Sequence, residues 1–107
     1  QSRDFVFVGD VVQANLKAAR QPVIEGEVFN VASGRSYTLL QLLEHLKKIF
    51  RSDQRPVFAE PRAGDIRYSR ANIQKARKLL GFQPETGLRQ GLKATVDFMK
   101  KQKGRKA

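Results

Sequence analysis

Arg62, Gly64 and Asp65 fall within four residues of one another in the stretch EPRAGDIRYS, and another arginine, Arg3, stands near the start of the chain. A guanidinium fork matches a pair of phosphate oxygens, so two forks from separate segments can grip a diphosphate. Gly64 would let the backbone approach such a ligand, and Asp65, an acceptor, could take hydrogen bonds from ribose hydroxyls. Each charge-assisted bond would contribute on the order of 1.5–3 kcal/mol. The plainer alternative is a surface ion pair between Asp65 and Arg62 or Arg67, worth roughly 0–1 kcal/mol. Spacing alone leaves both open.

Other chemistries lack their residues. The chain has no cysteine and one histidine, His45, which excludes disulfides and thiolate chemistry and argues against a zinc site. It contains no Gly-x-Ser-x-Gly nucleophile turn, no Gly-x-Gly-x-x-Gly dinucleotide turn and no Gly-x-x-x-x-Gly-Lys-Ser/Thr phosphate loop. No catalytic residue is assigned, no metal ligand and no cofactor-binding residue. Asp4, Asp10 and Asp65 are the carboxylates that folding could still bring together.

At 107 residues the chain has the length of one domain with a modest core. No apolar run approaches the roughly 20 residues that span a bilayer, and the N-terminus lacks a secretory pattern, so the chain reads as soluble and cytoplasmic, with no membrane partner. Its formal charge of +11 is unevenly placed, with Lys100, Lys101, Lys103, Arg105 and Lys106 crowding the last eight residues. The division that follows is a domain over 1–99 and a basic, disordered tail over 100–107. The body stays basic, which favours an anionic ligand.

These residues need elements to position them, and the pattern is α/β: about three short strands with about four helices in a small sheet. Apolar runs at 5–8, 28–32 and 56–60 read as strands, the second entered through a turn at 25–27. Asp10, with Gln13 three residues on, opens the first helix. Thr38 and Gln41 cap a second over 39–50, where Leu39, Leu42, Leu43, Leu46, Ile49 and Phe50 form an apolar stripe expected to be core. Asn72 caps a third over 73–80, which Gly81 stops. The fourth runs over 88–102 before the tail.

Taken in order, the segments RDFVFVGDVVQANLKA, GEVFNVASGRSYTLLQLLEHL and PVFAEPRAGDIRYSRANIQKARKLLGFQPETGLRQGLKATVDF resemble the C-terminal portion of the extended short-chain dehydrogenase/reductases. Within that family they are most similar to the nucleotide-sugar epimerases and dehydratases of the UDP-glucose 4-epimerase type. The resemblance runs from Arg3 to Phe98. It implies the C-terminal part of an NAD(P)-binding Rossmann-type fold, with Arg3 and Arg62 as diphosphate ligands and Asp65 near the ribose. Leu39 matches a position near the base, although its place in the apolar stripe explains it equally well. Asn72 matches a family position that its capping role already explains. Gly9 stands where the family commonly has aspartate, and Phe5 where tyrosine is frequent; neither departure removes the arginines.

The resemblance also implies what these 107 residues do not contain: the family's N-terminal domain, with its glycine-rich nicotinamide loop and Tyr-x-x-x-Lys catalytic residues. The chain alone is therefore expected to be inactive, to bind a nucleotide-diphosphate sugar weakly, and to have no cofactor of its own, NAD(P) belonging to the full-length relative. In the family the 28–32 run joins the edge of the large sheet, so an exposed edge and self-association are expected. A small basic nucleic-acid-binding domain is the alternative, and it lacks a base-reading helix or a row of exposed aromatics.

Overall fold

The strongest local signals build the helices. In the computed structural model, which describes residues 1–22 and 26–105, the order is β1 (Ser2–Arg3), α1 (Val8–Ala19), β2 (Tyr37–Thr38), α2 (Leu39–Phe50), α3 (Gln74–Leu80) and α4 (Leu88–Arg105). Glu25 of the expected turn, and Lys106 and Ala107 of the tail, lie outside the described residues. Thr38 and Gln41 form the reciprocal capping box: Gln41 N–H donates to Thr38 Oγ1 (3.1 Å) and Thr38 N–H to Gln41 Oε1 (2.8 Å). α3 begins one residue later than expected, with Ile73 and not Asn72 at its cap and no side-chain capping bond. Asn72 Oδ1, one residue further out, accepts from Gln74 N–H (3.0 Å), and Gly81 closes the helix in the left-handed conformation at φ 66°. α4 continues three residues past the expected Gln102, carrying Lys103 within the helix.

The four helices are present and the three strands are not. The sheet has two strands, β1 and β2, antiparallel, with Ser2 opposite Thr38 and Arg3 opposite Tyr37. None of the apolar runs at 5–8, 28–32 and 56–60 forms a ladder among the described residues. Residues 5–7 are irregular and Val8 already begins α1. The 28–32 run is tied to α3 by side chains instead: Lys75 Nζ donates to the Val28 carbonyl (2.8 Å) and pairs with Glu27 (2.6 Å), and its ammonium sits 5.1 Å from the Phe29 ring centroid. Val57 and Phe58 of the third run are 94% and 78% exposed. An apolar run becomes a strand only where neighbours supply both a ladder and a cover. The 28–32 run is covered, with Ala32 in the core and Phe29 and Val31 packed against it, but has no ladder, and the exposed Val57 and Phe58 of the third run have neither.

Asp10 is likewise not the opener of α1. The helix starts two residues earlier with Phe7 at its cap and no side-chain capping bond. Asp10 sits in the first turn, where the helix dipole favours a carboxylate, and is buried.

The core lies between α1 and α3. Ala14 of α1 and Ile73, Ala76, Leu80 and Phe82 around α3 are buried together with Ala32, and Phe82, 1% exposed, is the large side chain that fills it. α2 packs on α4, but its stripe is not the buried core that periodicity suggests: no α2 residue is fully buried, and Leu39, Leu40 and Phe50 are exposed. Phe7 joins the two helix pairs, its ring lying so near Gly91 of α4 that a Cβ there would stand 3.1 Å from it. A mostly apolar cavity of about 530 Å3 remains between residues 4–8, Leu42 and Leu92. The radius of gyration is 16.9 Å, against roughly 13 Å for a compact domain of this length, so much apolar surface has no cover within the chain.

Candidate functional site

The N-terminal tripeptide organises the candidate residues. On one side the Gln1 carbonyl accepts from Leu39 N–H (3.0 Å), continuing the β1–β2 pairing. On the other, Ser2 N–H donates to the Arg67 carbonyl (2.9 Å) and Ser69 N–H donates to the Ser2 carbonyl (3.1 Å), a parallel bridge between Ser2 and Tyr68. Ser2 is buried in this seam. Three segments distant in sequence thus lie side by side, with Arg3 on the central one.

Arg3 Nη1 donates to the carbonyls of Ser2 (2.7 Å) and Arg67 (3.4 Å). These contacts orient the guanidinium along the seam and engage one of its three nitrogens. Asp65 Oδ2 lies 3.5 Å from Gln1 Nε2, a long contact, and Asp65 N–H closes a turn on the Arg62 carbonyl (3.2 Å). Gly64, within that turn, has φ 87°, a backbone conformation that glycine adopts without strain. Leu39 follows the Thr38 cap and is 42% exposed, so it belongs to the rim of the seam and not to the core. Arg3, Leu39 and Asp65 are therefore gathered around Gln1 and Ser2, and Arg62 is joined to the group through its turn to Asp65. Among the described residues neither Arg3, Arg62 nor Asp65 is ion-paired, so the surface pair left open by spacing is not formed.

Asp4 and Asp10 do not converge as a catalytic pair. Asp4 accepts from Ser33 N–H (2.8 Å), Ser33 Oγ (2.6 Å) and Gly34 N–H (2.9 Å), while Asp10 accepts from Glu85 N–H (3.1 Å) and Thr86 N–H (3.2 Å). Each carboxylate fixes a loop. Among the described residues no three His, Asp or Glu side chains are grouped to hold a metal ion. Nor does any strand pass through a glycine-rich turn into a helix, the arrangement that cradles a dinucleotide pyrophosphate; Gly26, Gly34, Gly64 and Gly81, the glycines of positive φ, stand in separate turns. Among the described residues no such cradle for NAD(P) is formed.

The fold of the chain recurs in known proteins. The chain is 37% identical over 99 residues to a UDP-glucose 4-epimerase of Mycolicibacterium smegmatis, covering 92% of this chain and 31% of that protein. It is 34% identical over 100 residues to a putative UDP-glucose 4-epimerase of Methanocaldococcus jannaschii, covering 94% and 32%. Among solved structures, a UDP-glucose 4-epimerase from Thermotoga maritima with UDP-glucose superposes with a TM-score of 0.86 at 44% identity, over 94% of this chain and 32% of that one. The chain is a homologue of the nucleotide-sugar epimerases. A UDP-glucuronic acid 4-epimerase from Bacillus cereus, in complex with UDP-glucuronic acid and NAD, matches with a TM-score of 0.86 at 29% identity. No family model matches the chain.

The epimerase homologue spans about a third of the length of these relatives and corresponds to part of an extended short-chain dehydrogenase/reductase. No helix among its described residues is long and apolar enough to cross a membrane. Sequence reasoning missed two members of its seam. Tyr37 stands opposite Arg3 on the antiparallel pair, which places their side chains on one face. Arg67 supplies a carbonyl to Arg3, and its guanidinium lies 5.9 Å from the Tyr68 ring centroid. β2 is two residues long, too short to leave an alternating pattern, so no signal in the sequence marked Tyr37.

Proposed function

We propose that this chain supplies the substrate-side surface of an NAD-dependent nucleotide-sugar epimerase or dehydratase, holding the nucleotide diphosphate while residues outside these 107 carry the nicotinamide chemistry. The observation that supports this most is the seam at Ser2, which gathers Arg3, Leu39 and the 62–65 turn from three distant segments. In this reading the Arg3 and Arg62 guanidinium groups neutralise the diphosphate, Asp65 accepts from ribose hydroxyls, and Leu39 offers its exposed apolar side chain to the base. The relatives agree in kind: the Thermotoga enzyme was solved with UDP-glucose and the Bacillus enzyme in complex with UDP-glucuronic acid and NAD.

The chain alone orients and neutralises; it has no group assigned to move a hydride or proton. Affinity for a nucleotide diphosphate should be weak, because one open surface contributes few contacts against the entropy of binding. Titration with UDP and UDP-glucose, followed by backbone amide shifts, tests the assignment. Shifts are expected at Arg3, Leu39 and residues 62–65. Absence of any shift there at millimolar ligand would remove the proposal.

A further inference from the structure

A polar cleft of about 270 Å3 opens between residues 33–37, α3 and the connector from Gln83 to Leu88. None of the four residues assigned to the nucleotide diphosphate, its ribose and its base lines it. Arg35, Tyr37, Arg77 and Glu85 do, so its lining carries two arginines against one carboxylic acid, with one tyrosine. Among the described residues neither arginine is ion-paired, with Glu85 or with any other acid. A single unpaired arginine is unremarkable in a chain with 21 basic residues. Two lining one concave surface add their positive fields at the same place, even though both side chains reach solvent.

The rims of this cleft are set before any ligand arrives. Asp4 holds Ser33 and Gly34 through three hydrogen bonds, and Asp10 holds Glu85 and Thr86 through two. Both aspartates spend their acceptors on backbone amides or a hydroxyl, so they fix the loops and make no ion pair with Arg35 or Arg77. Tyr37 is half-buried, its position fixed by the β1–β2 pair.

We propose that this cleft is a second anion site, in which Arg35 and Arg77 bind the phosphate or carboxylate group of a small molecule and the Tyr37 hydroxyl adds a donor. Its volume admits such a group and excludes a nucleic-acid duplex. The site does not depend on the diphosphate assignment, because it uses different residues. Inorganic phosphate and citrate are titrated separately into the chain at constant ionic strength, with chloride as the control, while amide shifts are followed. Saturable shifts are expected at residues 33–37 and 83–87, with affinity reduced roughly tenfold or more in Arg35→Gln and in Arg77→Gln. Arg35→Lys should fall between, keeping the charge and losing the fork. Both arginines are exposed, so unchanged signals from Phe82 and its neighbours will show that the variants remain folded. A response to one anion alone assigns the class, and a response to both leaves the shared chemistry. UDP should still shift residues 62–65 in Arg35→Gln; if UDP fails in every chain while phosphate shifts the cleft, the cleft stands and the diphosphate assignment falls. No saturable shift with either anion, or shifts unchanged in both glutamine variants, overturns the second site.

Discussion

The carboxylate of Asp10 receives the amide of Glu85 at 3.1 Å across 75 residues of sequence, and that of Thr86 at 3.2 Å. This one side chain ties the first turn of α1 to the connector that aims α4. Asp10 is buried, so both bonds are protected from water, and removing the acceptor leaves two amides facing a void. Asp10→Ala should cost about 1.5–3 kcal/mol of stability, read as a lower urea midpoint with the slope unchanged. An unchanged midpoint would show that water replaces the carboxylate without loss.

Gly34 and Gly64 both have positive φ, 75° and 87°, yet their substitution should differ. A Cβ on Gly34 would stand 3.1 Å from Cδ1 of Ile73, a buried core residue, whereas one on Gly64 would meet nothing within 4 Å. Gly34→Ala adds crowding to backbone strain of about 1–3 kcal/mol, enough to lower Tm by roughly 4–8 °C or more. Gly64→Ala carries only the strain, in an exposed loop free to relax, and should leave Tm nearly unchanged while weakening UDP binding. Equal Tm losses in the two variants would contradict this separation.

What was legible in the sequence was what depends on neighbours in the chain. The Thr38–Gln41 box and the Gly81 stop are settled within one helical turn, and α2 begins and ends where the pattern put it. The runs at 28–32 and 56–60 carried the composition of strands, but a strand is defined by a partner, and here Lys75 and solvent take that place. Asp10 had the spacing of a capping residue and instead serves a connector far along the chain. The grouping of Arg3 with Asp65 and Leu39 was beyond spacing altogether, because it rests on bonds between segments more than thirty residues apart. It came into view through resemblance to the epimerases.

Val57 and Phe58 present adjacent apolar side chains to water in a segment without a ladder. Burial of such surface is favourable at roughly 25 cal/mol per Å2, and unpaired backbone can add hydrogen bonds to the same contact. Self-association is expected, with sedimentation coefficients that rise with concentration. Phe58→Lys should suppress it by placing a charge in the contact. Sedimentation as a monomer over the whole accessible range would refute the prediction.

Arg3 and Arg62 share an assigned ligand but differ in what else they touch, and this difference separates binding from architecture. Arg3 donates to the carbonyls of Ser2 and Arg67 across the seam, whereas Arg62 makes no described side-chain hydrogen bond. Loss of either should weaken UDP roughly tenfold or more, the worth of one charge-assisted bond. Arg3→Ala should also loosen the seam, raising hydrogen exchange at the Ser2 and Ser69 amides, which bond across it. Arg62→Ala should leave those amides protected. If Arg62→Ala keeps full UDP affinity while Arg3→Ala loses affinity and seam protection together, then Arg3 acts by holding the 67–69 segment in place, and the two-arginine clamp is wrong.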